Sequence, residues 1–129
     1  MAWSGSTLAF SDEEWRYITD VSEMYGFKDM KDSTKFMYSI GLRLVMSGQI
    51  LETDNGSGAN RSTRYNVGTL DPDQSLLATL MLIQESSSKL ETNKIFENLV
   101  SMGTKWHRAQ VEEHAYVTLS DCFKLLEKR

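Results

Sequence analysis

The chain has a single cysteine, a single proline and no apolar run long enough to cross a membrane. Cys122 cannot form an intramolecular disulfide, so a reducing, cytoplasmic location is expected. No basic region followed by an apolar run stands at the N-terminus, and no secretion signal is predicted. One proline in 129 residues is not typical of a linker or a disordered chain. The length fits one compact domain with a sizeable core.

The sequence also lacks the motifs of common catalytic and metal sites. It contains no nucleotide-binding loop, dinucleotide fingerprint, hydrolase elbow or metalloprotease pattern. His107 and His114 are seven residues apart, whereas zinc ligands are usually closer and need a third partner. We expect two partly exposed helix histidines, and Cys122 to pack as a small apolar residue. No catalytic residue, metal site or cofactor is predicted, and the chain is not expected to be an enzyme.

The chain also lacks a net positive charge. The net charge is −4, whereas a protein that binds duplex DNA usually presents lysine and arginine to the phosphates. Four basic residues nevertheless lie close together in the sequence: Lys28, Lys31, Lys35 and Arg43. Asp29 and Asp32 lie among them and weaken the attraction of this segment for phosphate. The overall charge is therefore unfavourable for a purely electrostatic contact with nucleic acid.

What the sequence does contain is a well-marked strand and two helices over residues 6–46. Residues 6–10 have the composition of a short strand. Ser11 and Glu14 form a capping box that begins the first helix, and Gly26 can end it in the left-handed conformation. Asp29 or Asp32 can cap the second helix. Gly41 lies inside that helix, where a close contact with another helix would account for it.

The rest of the chain is predicted to be a loop followed by helices. Residues 52–68 are rich in Gly, Ser and Asn without periodicity, and we assign 49–70 to a flexible loop. A third helix is predicted to begin with Asp71 as its cap and Pro72 at its first position. A fourth runs from Thr92 to Gly103, and two further pieces cover 106–114 and 119–127. The predicted fold is mainly α, with about five helices, one short N-terminal strand and a helical bundle in the C-terminal half.

This organisation divides the chain into three parts. Residues 1–48 form a strand-helix-helix association unit, 49–70 the loop, and 71–129 the helical bundle, which is expected to share one compact domain with the first part. The third helix is apolar almost all round, as is typical of a helix in a core or in an interface between chains. Residues 71–129 are therefore a candidate surface for a protein partner.

Residues 6–46 resemble the ribbon-helix-helix family of transcriptional regulators and antitoxins. The resemblance rests on the strand, on Phe10 followed by a polar helix start, on the turn Tyr25-Gly26-Phe27, and on the apolar second helix over 36–44. In that family the strand pairs with its twin from a second chain, and the two-stranded ribbon enters the major groove. The start of the second helix holds a phosphate. The resemblance covers roughly a third of the chain.

The resemblance implies two sets of site residues. A DNA-binding set comprises the outward strand residues and the start of the second helix: Thr7, Ala9, Lys28, Lys31, Ser33 and Lys35. An oligomer interface comprises the inward strand residues and the apolar face of the second helix: Leu8, Phe10, Phe36, Ile40, Gly41 and Leu44. Thr7 and Ala9 can touch a thymine methyl group, but neither can contact a base through two hydrogen bonds.

Two functions are consistent with these observations. The first is a small non-enzymatic regulatory or DNA-associated protein, antitoxin-like or related to phages or plasmids, that forms a homo-oligomer, expected to be a dimer, through its N-terminal unit. The alternative is a protein-protein interaction subunit of a larger complex with no direct DNA contact. Neither function requires a membrane.

Overall fold

The computed structural model describes residues 2–52, 60–83 and 90–128. Within these ranges the elements follow in this order: β1 (Thr7–Ser11), α1 (Asp12–Tyr25), α2 (Met30–Met46), β2 (Arg61–Asn66), α3 (Val67–Leu70), α4 (Ser75–Leu80), α5 (Thr92–His114) and α6 (Leu119–Glu127). β1 and β2 form a two-stranded antiparallel sheet with an irregularity between Leu8 and Ala9. The mainly helical fold with a short N-terminal strand is confirmed.

The predicted signals of the first two helices are present. The Ser11 side chain accepts a hydrogen bond from the Glu14 backbone N–H, and the Glu14 carboxylate accepts one from the Ser11 N–H. Gly26 ends α1 with φ +67°, a conformation that costs glycine little because it has no Cβ. Of the two aspartates that could cap α2, Asp29 does so. Local chemistry thus sets both ends of α1 and the start of α2.

The loop prediction over 49–70 is wrong for its second half. Arg61–Asn66 forms β2, and Val67–Leu70 forms a single helical turn. Tyr65 is the one buried residue of β2, so the strand has no apolar alternation to reveal it. It forms because its backbone pairs with β1 and because Tyr65 packs edge-on against Phe10 and Trp15. Residues 53–59 of the predicted loop lie outside the described residues.

The third helix begins later than predicted. Helix α4 starts at Ser75, preceded by Gln74 with φ +60°. Asp71 lies in the turn before it, where its carboxylate accepts hydrogen bonds from the backbone N–H groups of Leu76 and Leu77. Asp71 also accepts a hydrogen bond from the indole of Trp3, 68 residues away. Asp71 therefore caps the helix from a distance instead of standing next to its first turn.

Helix α5 is the centre of the molecule. It runs without a break through Gly103, where the sequence predicted an end, and residues 95–104 are all buried. Its main contact is with α2, and it also touches α1 and β1. At the crossing, a Cβ on Gly41 would lie 2.0 Å from the Leu99 carbonyl oxygen, and one on Gly103 would lie 1.9 Å from that of Met37. The close contact expected at Gly41 is present, and Gly103 is its counterpart.

The core joins side chains from both ends of the chain. Leu8, Ile18, Ile40, Leu80 and Leu99 are each no more than 1% exposed and belong to one apolar cluster. Tyr38 on α2 stacks on Phe96 of α5 with ring centroids 4.6 Å apart, and its hydroxyl bonds that of Thr79. None of the helices in the described ranges combines the length and apolar character needed to cross a membrane.

Candidate functional site

The start of α2, where the resemblance implies a phosphate site, already holds a carboxylate. Asp29 Oδ1 accepts hydrogen bonds from the backbone N–H groups of Lys31, at 2.8 Å, and Asp32, at 3.3 Å. These N–H groups are the ones a phosphate would use at a helix N-terminus. An anion would therefore have to displace Asp29 against like-charge repulsion.

The DNA-binding set is divided by the structure. Thr7 and Lys28 are exposed, and Ala9, Lys31 and Lys35 are partly buried. Ser33 is fully buried, and its hydroxyl donates a 2.7 Å hydrogen bond to the Ile18 carbonyl. Including Ser33 in the DNA-binding set was therefore wrong, because its side chain joins α2 to α1 and cannot reach a ligand.

Both edges of β1 are occupied within the chain. One edge pairs with β2. On the other side, Asn93 of α5 donates hydrogen bonds to the carbonyl groups of Gly5 and Thr7, and Glu97 accepts one from the Ala9 N–H at 2.9 Å. Arg61 also donates to the Ala9 carbonyl at 2.7 Å. This arrangement differs from the pairing with a second chain that the resemblance implies, since a twin strand would have to displace α5.

The Glu97 carboxylate can be buried because positively charged groups lie beside it. Its carboxylate lies 3.2 Å from the Arg61 guanidinium and 3.7 Å from the Lys94 ammonium. Arg61 also lies 3.7 Å from the Glu14 carboxylate. A nearly buried carboxylate is tolerated only when paired and hydrogen-bonded in this way. The network therefore holds the sheet against α5 and the start of α1, which is a structural role.

The predicted oligomer interface lies mostly inside the chain. Leu8, Phe10, Ile40 and Leu44 are at most 1% exposed, and Gly41 touches the α5 backbone. Phe36 alone of the six is partly exposed. The prediction mistook four core residues for interface residues, Leu8, Phe10, Gly41 and Leu44, because a helix's apolar face looks the same in sequence whether it packs on its own chain or on another.

His107 lies at the centre of a buried polar cluster that the sequence did not indicate. The expectation of a partly exposed histidine is wrong, as His107 is fully buried. Tyr17 Oη lies 2.6 Å from His107 Nδ1, and Tyr25 Oη lies 2.7 Å from Nε2. Tyr25 donates its only hydroxyl proton to the Val117 carbonyl. His107 Nε2 must therefore carry the ring proton and donate it to Tyr25, while Nδ1 accepts from Tyr17.

The cluster is built to stay uncharged. Burial lowers the pKa of His107 to about 4 and raises that of Tyr17 to about 12. The pKa of the Tyr25 hydroxyl is also raised, first by burial and then by neighbouring Cys122. Burial raises the pKa of the Cys122 thiol too, so the thiolate that would act as a nucleophile is disfavoured. These groups connect α1, α5 and the residues before α6. Their role is to hold these elements together.

An apolar groove lies between α2 and α6, next to the His107 cluster. It encloses about 360 Å³ and is lined by seven residues that we call the α2–α6 groove: Phe36, Ser39, Ile40, Arg43, Phe123, Leu126 and Glu127. The α2 members, at positions 36, 39, 40 and 43, share one helix face, as do those of α6, at positions 123, 126 and 127. Phe36 forms ring contacts with Tyr25, Phe27 and His107 behind it.

Phe123 is the exposed aromatic side chain of the groove. Its side chain lines the groove but remains 60% exposed, whereas Leu126, three residues on, is 7% exposed. Arg43 and Glu127 stand on opposite helices of the groove, and neither forms an ion pair within the ranges the structure describes. The groove thus combines an apolar floor, an exposed aromatic ring and two charges of opposite sign that have no ion-pair partner in the described part of the chain.

No cluster suited to a metal ion occurs among the described residues. Comparison of the chain with protein-family models, with curated proteins and with solved structures gives no match. The α2–α6 groove combines Phe36 and Ile40, which were predicted as interface residues, with three α6 residues from the C-terminal part predicted to bind a partner. Phe36 and Phe123 are 87 positions apart in the sequence, and only the packing of α6 onto α2 brings them to one site.

Proposed function

We propose that this chain is a non-enzymatic interaction protein that binds an amphipathic helix of a protein partner in the α2–α6 groove. The observation that carries the proposal is the exposure of Phe123 on the wall of an apolar groove. A large aromatic side chain gains most when it is removed from water, and such residues are frequent anchors in protein interfaces. The proposal develops the alternative function predicted from sequence.

The shape of the groove supports a helix as its occupant. Two helices form its walls, and a third helix can place side chains at positions i, i+3, i+4 and i+7 between them. A volume of about 360 Å³ lies near the lower end of the range for small-molecule pockets. It suits one or two apolar side chains that enter from an open side, with Ser39, Arg43 and Glu127 available to the polar flanks of the same helix.

The charge distribution supports a protein partner over duplex DNA. The chain carries a net charge of −4, and the groove contributes one positive and one negative side chain. At the start of α2, Asp29 occupies the N–H groups that would bind phosphate. We therefore favour protein docking over DNA association through Thr7, Ala9 and the lysines of α2.

Selection of helical peptides from a displayed library tests the function even while the natural partner is unidentified. We expect the selected peptides to carry apolar residues at i, i+3 or i+4, and i+7. We expect Phe123→Glu to weaken their binding by at least about tenfold, as for a central interface residue. Fluorescence anisotropy of a labelled peptide measures the affinity.

Met81→Glu is the matched control, because Met81 is an exposed apolar residue outside the groove, 56% accessible. It should leave the affinity unchanged. Peptides that bind Phe123→Glu as tightly as the unaltered chain would contradict the proposal, as would a selection that yields no binding peptide.

A further inference from the structure

We propose that the occupant of the α2–α6 groove is the same groove of a second copy of this chain, with each Phe123 ring packed into the other groove. The inference rests on the proposed function and names its partner. A two-fold interface uses one surface twice, so that surface must supply both a projecting group and a place to receive it. The α2–α6 groove does so, with Phe123 as the projecting ring and Phe36 and Ile40 as the apolar floor.

The charges of the groove are complementary to themselves. Arg43 lies on α2 and Glu127 on α6, both are exposed, and neither is paired within the described residues. A two-fold axis between the grooves brings Arg43 of each copy toward Glu127 of the other, so the pair forms twice. Two chains of net charge −4 repel each other in general. A face with one charge of each sign is suited to their contact.

The apolar surface continues along α2 beyond the groove. Met46 lies seven residues after Ser39 and three after Arg43, on the same side of α2 as those two groove residues, and its side chain is 51% exposed. A second copy that covers the groove can also cover Met46, which enlarges the contact. The interface remains small, and small interfaces give weak, reversible association. We therefore expect a dimer with a dissociation constant in the micromolar range.

Sedimentation velocity of the full chain, from about 1 to 500 µM, tests this inference over the range of weak dimers. The unaltered chain should pass from monomer to dimer as its concentration rises. Phe123→Glu should weaken the dimer by at least about tenfold. Because the Phe123 side chain is largely exposed, this variant should keep the helical circular dichroism of the unaltered chain. Met81→Glu should dimerise like the unaltered chain.

Exchange of the Arg43 and Glu127 charges tests the dimer contact more specifically than Phe123→Glu does. Arg43→Glu alone places two carboxylates opposite each other and should weaken the dimer, as should Glu127→Arg alone with two cations. The double variant restores both pairs and should recover the affinity. An equimolar mixture of the two single variants should form a heterodimer, because each charge then meets its opposite.

The outcomes separate this inference from the proposed function. A chain that stays monomeric at every concentration overturns the second-copy proposal, and so does a dimer that persists in Phe123→Glu or a double variant that fails to recover. If such a monomer still binds the selected helical peptides through Phe123, protein docking stands and its partner is another protein. If peptide binding is also absent, both proposals fail.

Discussion

Gly103→Ala should lower the free energy of unfolding by at least about 3 kcal/mol, at or beyond the upper end of the range for overpacked cores. The new Cβ would lie 1.9 Å from the Met37 carbonyl oxygen, and a backbone atom on a packed helix cannot move aside as a flexible side chain can. Alanine also favours the helix over glycine by about 1 kcal/mol, but this gain is smaller than the cost of forcing α2 and α5 apart. Gly41→Ala should act in the same direction, since its Cβ would meet the Leu99 carbonyl oxygen at 2.0 Å.

Gly68→Ala is the control for this result. Gly68 lies in α3, has no positive φ, and has no heavy atom within 4 Å of an added Cβ. The substitution should leave stability unchanged or raise it by up to about 1 kcal/mol. Urea denaturation followed by circular dichroism measures all three variants. A Gly103→Ala variant within about 1 kcal/mol of the unaltered chain would show that α2 and α5 do not cross as closely as described.

Acidification from pH 7 to about pH 4 should lower the free energy of unfolding by about 3 kcal/mol through His107 alone. Each unit of difference between the folded and unfolded pKa corresponds to about 1.36 kcal/mol. The pKa of His107 is about 4 in the folded chain, against 6.5 for an exposed histidine. Between these values the unfolded chain binds a proton that the folded chain does not, so stability falls as the pH falls. Well above pH 6.5 neither state is protonated, and this contribution is complete.

His107→Gln isolates the effect. Its amide oxygen can accept from Tyr17 and its amide nitrogen can donate to Tyr25, but it does not titrate. The variant should lose most of the dependence of stability on pH between 4.5 and 6.5. His114→Gln should keep that dependence, because His114 is exposed. The lowered pKa values of Asp73 and Asp121 start from 3.8 and therefore act below this window.

Urea unfolding at closely spaced pH values provides the measurement. Equal slopes for the unaltered chain and His107→Gln would mean that His107 is not held neutral by burial. The nitrogen chemical shifts of the ring would report the tautomer independently, with Nε2 protonated and Nδ1 accepting from Tyr17.

Local signals in the sequence were sufficient for the first two helices. The capping box at Ser11, the glycine stop at Gly26 and the Asp29 cap depend on groups within a few positions of one another. Such interactions involve only residues close in sequence, so the sequence predicts them well. The mainly helical class follows from the same patterns.

The errors arose where distant partners decide the structure. β2 has one buried side chain and forms through backbone bonds to β1, about fifty residues earlier. Gly103 was assigned as a helix end because glycine commonly ends helices, but here it permits the close approach of α2. Asp71 caps α4 across an intervening turn. None of these relations leaves a periodic pattern in the sequence.

The sequence predicted only part of the candidate site. Phe36 and Ile40 were predicted as interface residues of the second helix, and Phe123 and Leu126 fall in the last predicted helical piece, 119–127. Their meeting in one groove depends on how α6 returns to α2. Likewise, His107 meets Tyr17 and Tyr25 across 90 and 82 positions. The missed signal was the pair of tyrosines on the buried side of α1, which need polar partners there.

Methyl NMR of the chain with labelled isoleucine, leucine and methionine can show whether the α2–α6 groove is the docking surface. Addition of a selected helical peptide should shift the methyl signals of Ile40 and Leu126, which line the groove. The signals of Met81 and Leu82, exposed apolar residues outside it, should stay in place. Shifts confined to Met81 and Leu82, with Ile40 and Leu126 unchanged, would rule out docking in the α2–α6 groove.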